Sequence, residues 1–447
     1  MEIRIGDEIE LCIDSLGLSG EGIGTYLGLK VFVEGLLPSE KALVKIIGLK
    51  KNYAKGQCLK LLRESSERVR PICPLFGRCG GCQLMHLNYD SQLKMKRKRV
   101  MDSFERVGKD PISSPIIIHG SNPSLEYRNK IQLPAKLDNG VLTLGLYEKE
   151  SHEIIPVKKC YIHATLGESV YEQILSLLQG SGLSAYDEKT GEGELRHVLI
   201  KTAMFNQQVL VVLITTQGVS KQIKALAKKI IEIPFVKGVM HHKNSRKDNV
   251  ILGDHFLLLE GQDFIDELLC GLKFKLSAPS FFQINPYQAQ NLYQKAIELA
   301  SIDKSMTVLD AYCGIGTLSL LLAKNAKEVI GVECVPLAIE DAKYNARKNH
   351  IENVKFICSV TEKFIHTLSK IDVVVLNPPR KGCDIKVLEA LKKLKPKNII
   401  YISCDPATLA RDAQILRNLG FIKDHVEAFD MFPQTTHVET IARFKLF

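Results

Sequence analysis

The sequence predicts a multi-domain protein with a small N-terminal β-barrel, a central α+β domain and a C-terminal α/β domain that contains a doubly wound parallel sheet. Three observations lead to this prediction. At 447 residues the chain is too long for one ordinary core. Short β-type runs between glycine-rich turns fill residues 1–62. From residue 271 to residue 447, apolar runs of strand length alternate with helical stretches.

The N-terminal segment, 1–62, is typical of a small barrel because residues 8–13, 30–33 and 42–47 are short alternating runs. Its pieces Gly20-Glu-Gly-Ile-Gly24 and Glu34-Gly-Leu-Leu-Pro-Ser-Glu40 resemble the TRAM domain, an OB-like barrel found on RNA-modifying enzymes. A generic barrel with another ligand is the alternative. The central domain is expected to comprise 63–90 and 115–270, and residues 91–114 form a basic helix that we expect to pack on the C-terminal domain.

The charge balance favours an anionic partner. Lys and Arg exceed Asp and Glu by 10, and nucleic acid is the natural candidate for such a basic chain. The densest run, Lys94-Met-Lys-Arg-Lys-Arg99, is either a phosphate-contacting stretch or a solvated helix face. The chain begins without a signal-peptide pattern, and no apolar run is long enough for a bilayer. We therefore expect a cytoplasmic protein with no membrane partner.

The α/β pattern carries a candidate cofactor loop. Its strands are predicted to end at Asp310, Glu333, Cys358, Leu376 and Ser403. Gly314 and Gly316 follow the first strand and allow close ligand approach, and Glu333 can accept hydrogen bonds from ribose hydroxyls. The loop lacks the G-x-G-x-x-G spacing of dinucleotide sites. Together with Asn377-Pro-Pro, it resembles the class I S-adenosylmethionine-dependent methyltransferases.

Cys404 lies where a buried strand ends and Asp405-Pro406 opens a helix. Ligands bind at this edge of open α/β sheets, and a thiol at a helix N-terminus can have a lowered pKa. The alternative is an inert buried cysteine. Near the C-terminus, His437 and Glu439 supply ionisable groups beside the final strand. A thiol and a base together suit methylation of pyrimidine C5, which needs nucleophilic addition at C6 and then proton removal at C5.

Five motifs together resemble the RNA uracil-C5 methyltransferase family. They are Phe281-Phe-Gln283, Asp310-x-x-Cys-Gly-x-Gly, Asn377-Pro-Pro-Arg, Ser403-Cys-Asp-Pro406 and His437-Val-Glu439. The resemblance implies Cys404 as the nucleophile that attacks C6 and Glu439 as the base that accepts the C5 proton. It also implies a set of S-adenosylmethionine-binding residues, namely Gln283, Tyr312, Gly314, Thr317, Glu333 and Asn377.

The sequence departs from this family in two places. The usual Asp-Pro-Pro-Arg is Asn377-Pro-Pro-Arg here, so any role that requires a carboxylate at this position is in doubt. The third strand of the sheet commonly ends near an acid that contacts adenine. Here the run is Cys358-Ser-Val360, so we expect adenine recognition to be weaker or to use backbone groups.

A cysteine cluster precedes the basic helix. Cys73, Cys79 and Cys82 lie within ten residues of each other, and Cys160 could approach them from the central domain. Four thiolates suit zinc or an iron–sulfur cluster, and unrelated free thiols are the third possibility. The Cys-Gly-Gly-Cys-Gln run resembles that of the ribosomal-RNA members of the family. The resemblance implies a 4Fe–4S cluster, with zinc as the second choice.

The sequence therefore predicts a monomeric RNA uridine-5-methyltransferase that acts on 23S ribosomal RNA or on an assembly intermediate of the large subunit. Arg128 is a candidate RNA contact. Two other functions stay open. Asn377-Pro-Pro also resembles the motif of amino-group methyltransferases that act on adenine and need neither Cys404 nor Glu439. An RNA chaperone with a degenerate cofactor site is the second.

Overall fold

The computed structural model describes residues 3–248, 250–253 and 255–447. The chain divides into two compact units. The first comprises the residues up to Arg99 together with Tyr147–His152 and Phe432–His437. The second comprises Val100–Leu146, Glu153–Met431 and Val438–Phe447. In the described part of the chain, none of the helices combines the length and the apolar character that crossing a membrane requires.

A closed barrel with strand order β1-β2-β3-β5-β4 forms most of the first unit. Its strands are β1 (Glu8–Leu16), β2 (Gly22–Tyr26), β3 (Leu29–Val33), β4 (Lys41–Leu49) and β5 (Tyr53–Arg63). Buried and exposed residues alternate along most of β1 and β4, because one face of each strand packs inward. The buried residues make one apolar core, which includes Ile9, Leu11 and Val44. The prediction of a small N-terminal barrel is confirmed.

In the second unit, a seven-stranded sheet has the order β13-β12-β11-β10-β7-β8-β9. Its strands are β7 (Lys130–Asp138), β8 (Val141–Tyr147), β9 (Ile154–Pro156), β10 (Leu195–Ala203), β11 (Gln208–Thr215), β12 (Val236–Lys243) and β13 (Phe256–Gly261). Helices α2 (Thr165–Gln179) and α3 (Lys221–Ile230) pack on one face. A separate hairpin consists of β14 (Phe264–Leu269) and β15 (Leu272–Ser277). This is the α+β part of the chain.

The second sheet of this unit has eight strands in the order β18-β17-β16-β19-β20-β22-β21-β6. These are β6 (Ile117–His119), β16 (Thr307–Asp310), β17 (Glu328–Glu333), β18 (Val354–Cys358), β19 (Val373–Leu376), β20 (Asn398–Ser403), β21 (Phe421–Phe429) and β22 (Glu439–Leu446). The helices that follow the hairpin are α4 (Pro286–Ala300), α5 (Thr317–Ala323), α6 (Pro336–Lys348), α7 (Thr361–Phe364), α8 (Ile385–Leu394) and α9 (Pro406–Asn418). All five predicted strand ends are confirmed.

Two segments join this sheet from earlier in the chain. Strand β6 pairs with β21, whereas the sequence assigned its residues to the central domain. The basic helix is α1 (Tyr89–Arg106), which is shorter than expected. Its buried residues Val100 and Phe104 belong to the apolar core of the eight-stranded sheet. Neither contact was visible in local sequence patterns, because both depend on pairing between distant parts of the chain.

The topology of this sheet creates one functional edge. Strands β16 to β20 run parallel to each other, so their carboxyl ends lie together. Strand β22 is antiparallel to β20, and it therefore begins at the edge where β20 ends. Ligands bind at this edge in open α/β sheets.

Candidate active site

Cys404 and Glu439 meet at this edge. The register pairs Ser403, the last residue of β20, with Thr440 of β22, so extending it by one residue sets Cys404, directly after β20, opposite Glu439, the first residue of β22. Residues directly opposite on antiparallel strands point to the same face, with Cβ atoms about 5 Å apart. The pairing thus joins a thiol and a carboxyl that are far apart in the chain.

The Cys404 thiol is half-buried, directly before the N-terminus of α9. Asp405 caps that helix, since its Oδ1 accepts hydrogen bonds from the backbone of Ala407 and Thr408 at 2.8 and 3.3 Å. Burial and the neighbouring Glu439 carboxylate raise the pKa of Cys404, and the Arg380 guanidinium lowers it. The net pKa is raised, which corrects the lowered value expected from the helix N-terminus alone. Burial and the Glu439 carboxylate outweigh the groups that lower the pKa, which are Arg380 and a backbone hydrogen bond.

Glu439 is 3% exposed. Burial raises its pKa to about 7, against the opposing effect of the positive charge on Arg380. A carboxylate with a pKa near neutrality is a stronger base than an ordinary one and is still partly ionised at physiological pH. The site therefore contains a thiol that can act as a nucleophile and a carboxylate that can accept a proton.

The glycine loop lies on the adjoining strands. The Gly314 N–H donates to Oε2 of Glu333 at 3.2 Å, while Oε1 accepts from the N–H groups of Cys334 and Val335 at 2.7 and 3.0 Å. These bonds fix the carboxylate at the end of β17. Oε2 retains a lone pair for a further donor, such as a ribose hydroxyl, whereas the two backbone N–H groups already use both lone pairs of Oε1. The donor set fits the adenosine part of S-adenosylmethionine.

Gly316 serves packing rather than ligand approach. Its φ is +80°, and a Cβ there would lie 2.6 Å from Cζ of Phe356. A Cβ at Gly314, by contrast, would meet no heavy atom within 4 Å. Thr317, the first residue of α5, is buried. The open space beside Gly314 is thus where a ligand can approach the loop.

Gln283 is buried, and the backbone around it is held by Asn129. The Nδ2 of Asn129 donates to the Gln283 carbonyl at 3.0 Å, and its N–H donates to the Ile284 carbonyl at 2.9 Å. The Gln283 side chain hydrogen-bonds to Tyr293, a buried tyrosine on α4 whose pKa burial raises. Tyr293 also lies within the electrostatic reach of Glu439. Sequence reasoning missed Tyr293, because its spacing is that of any core aromatic.

Tyr312 and Asn377 occupy the remaining loops. Tyr312 is half-buried, its hydroxyl bonds to the Cys383 thiol, and burial raises its pKa. Asn377 is half-buried directly after β19. Arg380, which the sequence offered only as part of a motif, is the group whose charge reaches both Cys404 and Glu439. Its closeness to Cys404 follows from the position of β19 beside β20, which the sequence alone does not give.

The turn that the sequence predicts to contact adenine follows β18. Cys358, the last residue of β18, and Val360 are both exposed. The Ser359 N–H donates to the Glu333 carbonyl at 3.0 Å, so this turn is held against the end of β17 by backbone bonding. No acidic side chain is present in this short run.

The predicted RNA-contacting residues are partly engaged within the protein. Lys96 is fully buried and donates to the Phe432 carbonyl at 3.1 Å. Arg99 donates to the Thr436 carbonyl at 2.8 Å. These two members of the basic run are therefore bonded within the first unit, and the buried Lys96 fits neither alternative, phosphate contact or a solvated helix face. In the second unit, Nε of Arg128 donates to the Lys130 carbonyl at 3.0 Å.

The predicted cluster thiols Cys73, Cys79, Cys82 and Cys160 are half-buried and in no disulfide. The Gly81 N–H lies 3.4 Å from Sγ of Cys79. Across the described residues, no group of three or more His, Cys, Asp or Glu side chains is arranged so that it could hold a metal ion. The four-thiol ligand set stays a prediction from the sequence.

Known proteins match nearly the whole chain, and their family agrees with the chemistry that the site supports. Residues 88–444 match the family model described as tRNA (Uracil-5-)-methyltransferase, and residues 3–59 match the TRAM domain. The chain belongs to the RNA uracil-5-methyltransferase family. An RNA methyltransferase of Listeria monocytogenes is 41% identical over 98% of both chains, and one of Clostridium acetobutylicum is 40% identical over 99% of this chain and 98% of that one.

A solved structure supports the same family assignment. The tRNA (uracil-54, C5)-methyltransferase of Pyrococcus abyssi, in complex with S-adenosyl-L-homocysteine, is 28% identical, with a TM-score of 0.80. The similarity covers 98% of this chain and 100% of that one. The uracil-5-methyltransferase assignment and the use of S-adenosylmethionine are thus confirmed, and the TRAM-like barrel is confirmed as a TRAM domain.

Proposed function

We propose that this uracil-5-methyltransferase modifies a uridine of 23S ribosomal RNA through a covalent bond between Cys404 and C6 of the base. The observation that carries the proposal is the pairing of β20 with β22, which sets a thiol opposite a buried carboxyl at the edge that also bears the glycine loop. A methyltransferase acting on the amino group of adenine would need neither residue. We further propose that the protein acts as a monomer.

The proposed reaction assigns one role to each group of the pair. The Cys404 thiolate adds to C6, and the electrons of the C5–C6 double bond shift toward O4 to give an enolate. The enolate carbon C5 then takes the methyl group. Glu439 removes the C5 proton, the C5–C6 double bond forms again, and the C6–S bond breaks to release the thiolate. The uridine must leave its stack for Cys404 to reach C6.

The cofactor residues prepare this step. S-adenosylmethionine supplies the methyl group as an electrophilic carbon on a sulfonium sulfur. Neighbouring strands lie about 4.8 Å apart, so β17 and β20, with β16 and β19 between them, are separated by roughly 14 Å. A ligand held at Glu333 and extended along the edge past Gly314 can thus reach toward Cys404. Gln283, Tyr312, Thr317 and Asn377 complete the proposed binding set.

The identity of the RNA is the open part of the proposal. The N-terminal barrel and the cysteine motif favour ribosomal RNA, through the resemblance to family members that carry both. A transfer RNA is the second candidate, because the Pyrococcus abyssi tRNA enzyme is similar over 98% of this chain. The barrel alone therefore does not distinguish the two substrates.

Mapping of 5-methyluridine in total RNA from cells with and without the protein tests the target. We expect a uridine in 23S ribosomal RNA to lose its methyl group when the protein is absent, and to regain it when purified protein is added. A loss confined to transfer RNA would replace the ribosomal target by the second candidate. A loss in neither RNA would contradict the proposed activity.

The 4Fe–4S cluster is also a proposal, supported by the spacing of Cys73, Cys79 and Cys82 and by the family resemblance. Protein purified without oxygen is expected to contain iron and acid-labile sulfide in equal amounts, about four of each per chain. Cys79→Ser should lose both, whereas Cys58→Ser in the barrel should lose neither. Zinc in place of iron would select the second choice, and no metal in freshly purified protein would contradict both.

A further inference from the structure

A buried polar network links β20, the strand that ends directly before the proposed nucleophile Cys404, to α9. Tyr401 is on β20, and its hydroxyl donates to Oδ2 of Asp412 on α9 at 2.5 Å. The backbone N–H of Cys383 points at both groups, at 2.9 Å from Oδ2 and 3.2 Å from the tyrosine oxygen. Asp412 is fully buried. Burying a carboxyl group costs folding free energy unless its oxygens are hydrogen-bonded. The burial of Asp412 therefore depends on a specific arrangement of hydrogen-bond partners.

Arg411 extends this network to the surface. Its Nε and Nη2 bind Oδ1 of Asp412 at 2.8 and 2.7 Å, and Nη2 also donates to the Lys381 carbonyl at 2.9 Å. The adjoining Gly382 has φ +79°, and a Cβ there would lie 2.6 Å from Nη2 of Arg411 and 2.7 Å from Oδ2 of Asp412. The loop that follows β19 is thus in close contact with the Arg411–Asp412 ion pair.

The held loop, residues 377–383, carries Arg380. Pro378 and Pro379 fix the backbone at its start, and the Gly382 N–H donates to the Pro379 carbonyl at 2.9 Å to close the turn. Arg380 is on the exposed side of this turn. Its charge lowers the pKa of both Cys404 and Glu439, against the rise that burial causes in each. Where the loop is held therefore decides how close that charge comes to the reacting pair.

The network also reaches the cofactor loop, because the Cys383 thiol bonds to the hydroxyls of Tyr312 and Tyr401. Tyr312 belongs to the β16–α5 loop, whereas Tyr401 is on the strand that ends at the nucleophile. Two loops and strand β20 are therefore joined by hydrogen bonds at the Cys383 thiol. Of these bonding residues, Tyr312 belongs to the proposed cofactor-binding set, whereas Cys383, Tyr401 and Asp412 do not.

We propose that Asp412 and Arg411 are positioning residues for the methyl-transfer reaction, which hold the 377–383 loop at Cys383 and Lys381 so that Arg380 stays beside Cys404 and Glu439. The inference rests on the proposed function in that Cys404 is taken as the nucleophile. A purely structural role for the pair would stabilise α9 and the loop without altering the reactivity of the thiol. The two roles are therefore separable by measuring the thiol directly.

The test is the pH dependence of alkylation of Cys404 by iodoacetamide, followed on the Cys404 peptide by mass spectrometry from about pH 6 to about pH 10. The charged groups that set this midpoint are Glu439 and Asp405, which raise it, and Arg380, which lowers it. Arg380→Gln, Asp412→Asn and Arg411→Gln are each expected to raise the midpoint. At neutral pH a rise of about half a unit slows alkylation about threefold.

A double variant separates positioning from an independent effect. If Asp412 acts through Arg380, then combining Asp412→Asn with Arg380→Gln raises the midpoint no further than Arg380→Gln alone. Tyr171→Phe, which removes another buried hydroxyl in the central domain, is the matched control and should leave the midpoint unchanged. Additive shifts, or an unchanged midpoint in folded Asp412→Asn protein, would overturn the proposal.

Two features keep the result interpretable. If Asp412→Asn does not fold, Arg411→Gln decides the matter, because the Arg411 side chain is 47% exposed and its replacement leaves the core filled. An unchanged midpoint in that variant overturns the proposal as well. The alkylation assay needs neither RNA nor methyl donor. Absence of methyl transfer by the unmodified protein would thus contradict the proposed function while this measurement stays valid.

Discussion

Cys404→Ala is expected to reduce methyl transfer by on the order of 10⁴-fold or more, because without a thiol at this edge C5 of uridine is not made nucleophilic. The measurement is transfer of labelled methyl groups from S-adenosylmethionine to RNA under single-turnover conditions. Binding of S-adenosylhomocysteine should be unchanged, since the proposed adenosine-binding residues Gly314 and Glu333 lie at the ends of other strands. The same variant should also fail to form a covalent adduct with RNA that contains 5-fluorouridine, whose C5 substituent a base cannot remove.

Cys270→Ala is the matched control for this prediction. Cys270 is likewise half-buried, and burial likewise raises its pKa, but it lies in the turn of the β14–β15 hairpin. We expect its replacement to leave both activity and adduct formation unchanged. Activity that persists in Cys404→Ala, or an adduct that maps to another cysteine, would contradict the proposed nucleophile.

Glu439→Gln is expected to stop turnover after the methyl group has been transferred. Glutamine cannot accept the C5 proton, so the methylated base stays bonded to Cys404 and a protein–RNA adduct accumulates with ordinary uridine RNA. We expect turnover to fall by roughly 10² to 10⁴-fold, and the adduct to appear as a slowly migrating band on denaturing gels. A variant that turns over normally, or that stops without an adduct, would remove Glu439 from this role.

The pH dependence of the reaction has a defined direction. The pKa of Glu439 is about 7, and its deprotonated form is the base, so the rate should rise as pH increases through about 7. Because the pKa of Cys404 is raised as well, the rate should continue to rise at more alkaline pH. In Glu439→Gln, the residual rate of C5 proton removal, measured under single-turnover conditions, should not rise near pH 7.

Stability gives an independent check of the same buried carboxyl. The folded-state pKa of Glu439, about 7, lies above its ordinary value of 4.5, so the wild-type protein loses stability as pH rises between these values. The melting temperature of Glu439→Gln relative to wild type should therefore increase across this interval and stay constant above it.

Glu267→Gln is the control. Its carboxyl also has a pKa of about 7, but it accepts hydrogen bonds from the backbone of Met204, Phe205 and Leu268, so its replacement should retain activity and lose stability.

Much of the C-terminal domain was predictable because its signals are local. Each parallel strand is a short apolar run that ends at a polar or turn-forming residue, and the predicted ends at Asp310, Glu333 and Ser403 agree with the structure. The start of α9 was equally clear from Asp405-Pro406, since a capping side chain and a proline act within one turn. Family motifs then supplied the reaction class.

The side-chain environment was not predictable from the same signals. The run of basic residues on α1 contained no local sign that Lys96 would be fully buried and bonded to the Phe432 carbonyl. The helix N-terminus beside Cys404 suggested a lowered pKa, whereas burial and Glu439 raise it. In both cases the groups that determine the outcome come from distant parts of the chain.

The sequence by itself determined the strands, the glycine loop, the thiol at the end of β20 and the family to which they belong, because each depends on residues close together in the chain. The tertiary structure alone decided that β22 lies antiparallel to β20, which sets Glu439 opposite Cys404 and buries it. It alone joined Asp412 to the loop that bears Arg380. Strand pairing and burial depend on residues far apart in the chain, and they set the electrostatic environment of the thiol and the carboxyl.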